Sequence, residues 1–122
     1  MDFNNNQPIW VQIYDLMCRR IAEGTYPTAQ RLPSLRDLAV ELQVNPNTCV
    51  RVYNRLEQEG MIYNRRGIGY FVAERAEKRV DELWREEFIH NEIPLFFERM
   101  DQAGLSIEEL KNLYNNRKKQ TR

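Results

Sequence analysis

The stretch "QVNPNTCVRVYNRLEQEG", Gln43 to Gly60, decides the fold. Its "NPN" has the composition of a turn, yet apolar residues at helical spacing follow it. Asparagine is a strong N-cap type, and proline is favoured at the first helical position, where its missing N–H is not needed. Asn45 and Pro46 therefore read as a helix start. Val44 before the cap and Cys49 in the next turn suit a hydrophobic staple, and Gly60 reads as the stop. At about 100° per residue, Asn47, Arg51, Asn54 and Gln58 share one stripe, flanked by Thr48 and Arg55. Cys49, Val52, Tyr53 and Leu56 gather on the opposite side.

The stripe has a particular chemistry. Asn and Gln pair bidentately with adenine edges, Arg pairs with guanine, and Thr donates to phosphate or meets a thymine methyl. Glu57 and Glu59 lie off the stripe or at its far end. Asn47 and Thr48 occupy the first turn, where free backbone N–H groups and the positive dipole end suit phosphate. Any solvated helix face looks similar, so the neighbouring segments carry the decision.

Upstream, the apolar spacing of Ile9, Ile13, Leu16, Met17 and Ile21 predicts a helix over about Pro8 to Glu23, with Pro8 in the first position and Gly24 as the stop. "TYPTAQRLP" reads as a turn segment. "SLRD", from Ser34, is a short capping box opening a helix with Leu35, Leu38, Ala39 and Leu42 inside. A short capped helix, a three-residue link and an amphipathic helix with a basic-amide face describe a helix-turn-helix. Downstream, "MIYN" and "YFVA" read as strands around "RRGIG", a basic hairpin tip with Arg65 and Arg66. The sum is a winged helix-turn-helix over residues 1–73.

After Ala73 the texture changes. Residues 74–103 are charged and helical in pattern, with Pro94 placed to kink or break the helix. "SIEE" is a second capping box, with Leu105 and Leu110 placed as a staple, opening a last helix to about Asn116. A basic tail, expected to fray, follows. The aromatics Trp84, Phe88, Phe96 and Phe97 are too many for a thin helix to leave bare. They pack on the first domain or, in the favoured reading, on a second subunit, together with Leu83, Leu110 and Leu113. The fold class is thus mostly α with a small β-hairpin, a winged helix-turn-helix domain followed by a two-helix dimerisation tail over 74–122.

The motifs together resemble a known family. "PIWVQI", "RLPSLRDLAVEL", "VNPNTCVRVYNRLEQEG" and "GIGYFV" occur in the order and spacing of the N-terminal domain of GntR-family bacterial transcription regulators. "NPNT" followed by "VRVY" looks most like the YtrA subfamily. The resemblance covers Gln7 to Val72. It implies double-stranded DNA as partner, contacted by Ser34 and Arg36, by Asn45, Asn47, Thr48 and Arg51, and by Arg66 and Gly67 on the wing. It also implies a homodimer held by the two-helix tail. Two positions depart from the pattern. Ala29 stands where the turn before "RLPS" usually carries glycine, and Pro46 stands where other branches carry arginine.

Bulk properties bound the rest. The 122 residues are 42% hydrophobic and 30% charged, and 18 Lys and Arg balance 18 Asp and Glu. Any polyanion footprint must therefore be local. No apolar run is long enough to span a bilayer and the N-terminus has no leader pattern, so the expected location is the cytoplasm. Cys18 and Cys49 read as small buried hydrophobes. His90, near Glu86 and Glu92, reads as solvated rather than as a metal ligand. No phosphate loop, metal spacing or activated nucleophile is present, so no enzyme activity, cofactor or metal is expected. The tail leaves room for a small apolar effector pocket at the dimer interface. A winged-helix protein–protein adaptor is the second reading, favoured by the zero net charge.

Overall fold

The computed structural model describes Phe3 and residues 6–120, the last three of these as backbone alone. The end of the basic tail lies outside them. The chain forms two compact units, residues 1–83 and 84–122.

The first unit opens with α1, Ile9–Ala22. Pro8 stands one position earlier than expected, as the N-cap with ψ 147°. Its extended backbone holds it outside the helix, while its carbonyl accepts from Val11 and Gln12. Of the expected inner face, Ile13, Met17 and Ile21 are buried and Leu16 is half-buried, but Ile9 stays exposed. Next come α2, Leu35–Leu42, and α3, Pro46–Gln58. Ser34 caps α2 by accepting from the Asp37 N–H at 3.0 Å. Asn45 caps α3, its Oδ1 accepting from the Asn47 N–H at 2.8 Å.

The link between α2 and α3 turns on Gln43, at φ 57° and ψ 49° in the left-handed region. The Val44 N–H then reaches the Ala39 carbonyl, closing the end of α2. A glycine would take this conformation without strain; here glutamine takes it. Gly60 ends α3 at φ 78°. The Met61 N–H bonds the Leu56 carbonyl and the Gly60 N–H bonds that of Glu57, a Schellman closure.

That closure commits the Met61 N–H, so the hairpin starts one residue later than expected. The strands are β1, Ile62–Arg65, and β2, Gly69–Val72, antiparallel with Ile62 opposite Val72 and Arg65 opposite Gly69. The segment read as a plain turn does more. Arg31 bridges Phe71, the Leu32 N–H bonds Tyr70, and Ala29 and Gln30 exchange bonds with Val72. It flanks β2 on the side away from β1. Ala29 has φ 66°, so the turn keeps the left-handed geometry that glycine usually supplies.

One core joins these parts. Tyr53, fully buried, meets Tyr70 edge-to-face at 5.0 Å and donates its hydroxyl to the Pro33 carbonyl at 2.7 Å. The first half of α4, Ala76–Glu87, adds Ala76 and Val80 to the same core. Glu59 accepts Arg55 and Arg79, both at 3.3 Å, which ties the end of α3 to α4.

In the second unit, a π-helical segment, Phe88–Glu92, precedes α5, Ile93–Ala103. Pro94, expected to kink or break the helix, is accommodated here. Proline lacks an N–H and crowds the preceding turn. The π-turn absorbs this by letting the Ile93 N–H reach back to the Phe88 carbonyl. The last helix, α6, Ile107–Gln120, runs further than expected. Its capping box is complete, with Ser106 and Glu109 each accepting the other's backbone N–H at 3.1 and 3.0 Å.

Candidate nucleic-acid interface

The candidate recognition face follows from how α3 is fixed. The Asn45 cap and Pro46 set the first turn, and the buried Cys49, Val52, Tyr53 and Leu56 set the rotation. Asn47, Arg51, Asn54 and Gln58 are then all exposed and Thr48 is half-buried. The stripe read from the sequence lies on the exposed face of α3, with Val50 and Glu57 exposed beside it. Asn45 itself has its Oδ1 committed to the cap, which leaves its amide N–H groups to offer.

At the start of α2, Ser34 and Arg36 are both exposed. Capping uses a lone pair of the Ser34 hydroxyl, so its proton remains available to an acceptor such as phosphate. On the wing, Arg65, Arg66 and Gly67 are exposed, with Gly67 at φ 78° in the tip.

Some arginines of the first unit are ion-paired and others are not. Carboxylates engage Arg20, Arg55 and Arg79, through Glu41, Glu59 and Glu82. Among the described residues, Arg31, Arg36, Arg51, Arg65 and Arg66 have no ion pair. These cations lie before and on α2, on α3 and on the hairpin.

Two residues here had no signal in the sequence. Trp10, on α1, lies under the Arg51 guanidinium, whose carbon is 4.3 Å from the ring centroid. The two share a cleft of about 340 Å³ with Ile9, Asn47 and Thr48. Forty-one positions separate them, so no local periodicity links them. Arg31 lies across Gly69, where an added Cβ would come within 3.0 Å of its Nε. The second glycine of the hairpin therefore makes room for Arg31. Arg65 sits over Phe71 at 5.4 Å, and Phe71 stacks on Tyr63 at 5.8 Å, giving the wing an aromatic-basic surface.

In the second unit Trp84, Phe88, Phe96, Phe97 and Leu113 are exposed and Leu110 is half-buried. Leu83 packs against the core of the first unit. An apolar groove of about 720 Å³ is lined by Phe88, Leu95, Phe96, Ile107, Leu110 and Tyr114. His90 is exposed. Among the described residues, no helix is long and apolar enough to cross a membrane.

Comparison with known proteins agrees with this geometry. The model of the family "Bacterial regulatory proteins, gntR family" matches residues 10–72. The HTH-type transcriptional regulator YhcF of Bacillus subtilis is 37% identical over 108 residues, 88% of each chain. The HTH-type transcriptional repressor YtrA of the same organism is 31% identical over 110 residues, 90% of this chain and 84% of that one. A crystal structure of a GntR-family regulator from Bacteroides thetaiotaomicron superposes with a TM-score of 0.84 at 36% identity. It covers 94% of this chain and is itself covered completely. This chain belongs to the GntR family of bacterial regulatory proteins, among its YtrA-type helix-turn-helix transcriptional regulators.

Proposed function

We propose that the chain is a cytoplasmic, sequence-specific repressor that binds a near-palindromic operator as a homodimer. The observation that carries the reading is the exposed stripe Asn47, Arg51, Asn54 and Gln58 on α3, which holds no acidic residue. Its amides and Arg51 match base edges in the major groove. Ser34, Arg36, Asn45 and Thr48 then serve the phosphates around the helix start, and Arg65, Arg66 and Gly67 serve those under the wing. The repressor sign is drawn from the likeness to YtrA.

The dimer is supported by the second unit. Phe88, Phe96 and Phe97 are 42 to 53% exposed, with Trp84 and Leu113 also bare. Apolar surface of this kind gains by burial against a copy of itself. Two recognition helices would enter successive major grooves, so the site should read as two half-sites about one helical turn apart. The apolar groove beside Phe88 and Phe96 suits a small apolar effector.

The test is selection of a duplex from a randomised pool, followed by gel shifts at two salt concentrations. DNA binding weakens steeply with salt, because each neutralised phosphate releases counterions. Arg51→Ala should cost about 1–3 kcal/mol and relax one base position, while Arg66→Ala weakens all sequences alike. If no duplex is enriched, the adaptor reading gains. A monomer in sedimentation at micromolar concentration would remove the dimer.

A further inference from the structure

We propose that Trp10 is a positioning residue for base recognition, which holds the Arg51 guanidinium flat so that its N–H edge faces the DNA. The inference rests on the reading of α3 as the recognition helix. Its observations are the 4.3 Å approach of Arg51 to the Trp10 ring and the cleft the two share with Asn47 and Thr48.

A guanidinium meets an aromatic ring through its face, and a guanine O6/N7 pair through its edge. The two uses do not compete. Among the described residues, Arg51 makes no ion pair or hydrogen bond, so its donors stay free. An exposed arginine otherwise loses much rotamer freedom when it binds. The stack removes part of that loss in advance. Trp10 is itself fixed, half-buried on the core through α1. Thus α1, which the helix-turn-helix does not require for contact, sets the orientation of a reading side chain on α3.

The experiment is a double-mutant cycle on the full chain, with thermal melts to verify folding. The probes are the duplex that the wild-type chain selects from a randomised pool and a scrambled duplex. Arg51→Ala should lower affinity for the selected duplex on the order of 10- to 100-fold and affect the scrambled one less. Trp10→Leu should lower it about three- to tenfold, with Trp10→Tyr largely restoring it. In the Arg51→Ala background, Trp10→Leu should have no further effect.

Equal loss from Trp10→Leu in both backgrounds overturns the proposal, since Trp10 would then act on its own. No loss from Trp10→Leu, with the Arg51→Ala loss intact, also overturns it and leaves the recognition reading standing. No loss from Arg51→Ala removes the recognition reading itself. Should Trp10→Leu fail to fold, the Arg51 Hε resonance of the wild type decides. An upfield ring-current shift of that resonance, identified by its absence from Arg51→Lys, supports the stack, and an unshifted resonance in the wild type overturns it.

Discussion

Replacing Ala29 with glycine should stabilise the protein, although glycine is usually the weaker residue. Ala29 has φ 66°, and its N–H donates to the Val72 carbonyl at 2.9 Å, so the turn cannot relax without losing that bond. A non-glycine residue in the left-handed region costs about 1–2 kcal/mol. Glycine removes that cost but adds freedom to the unfolded chain, about 0.4–1 kcal/mol in the other direction. The Ala29 methyl is exposed, so its loss subtracts little. The balance favours glycine by about 0.5–1 kcal/mol, or a rise in Tm of about 2–6 °C for a domain of this size. Circular dichroism melts of wild type and Ala29→Gly read it directly. Ala39→Gly is the control, since Ala39 is buried within α2. There the same change should cost about 1–2 kcal/mol through helix propensity and a lost methyl. An Ala29→Gly protein that melts at or below the wild-type temperature would refute the strain argument.

Tyr53→Phe keeps the buried ring but removes the donor to the Pro33 carbonyl; a loss of about 1–2 kcal/mol is expected by urea denaturation. Ser106→Ala removes one half of the capping box of α6 and should cost about 0.5–2 kcal/mol locally, seen as faster amide exchange in its first turn. Alkaline pH should destabilise the fold. Burial pushes the Cys18 thiol up to about 12 and raises the Tyr53 phenol. The unfolded chain then releases these protons first, so stability is complete below about pH 9 and falls as pH rises toward 12, by about 1.4 kcal/mol per pH unit per group. Cys18→Ala should flatten the slope between pH 9 and 10, and an unchanged slope would contradict the assignment.

The helices of the first unit were legible because their ends are local chemistry. Ser34, Asn45–Pro46 and Gly60 mark boundaries through bonds made within a few residues. The stripe on α3 was legible because its rotation is fixed by four buried neighbours on the same helix. What escaped the sequence was non-local. Arg31 reaches β2 across some forty positions, and Trp10 meets Arg51 across a similar span. Neither contact leaves a periodic trace. The left-handed turns at Ala29 and Gln43 escaped for another reason: the backbone bonds around them outweigh residue preference. The π-turn was half legible, since Pro94 announces a disturbance but does not say which kind.

That π-turn has a consequence for the faces around it. In an unbroken α-helix, the eight positions from Phe88 to Phe96 would rotate the second ring about 80° away from the first. One extra residue in the turn takes up about 100° of that rotation and leaves the two within about 20°. Phe88 and Phe96 do line one groove. Trp84, one helical turn before Phe88, falls in phase with them. The proline that would have interrupted the helix thus acts as a phase shifter, bringing rings from two helical segments onto a common line. Deleting one residue between Phe88 and Glu92 would retune that line, and the surface it builds, without changing a single side chain on it.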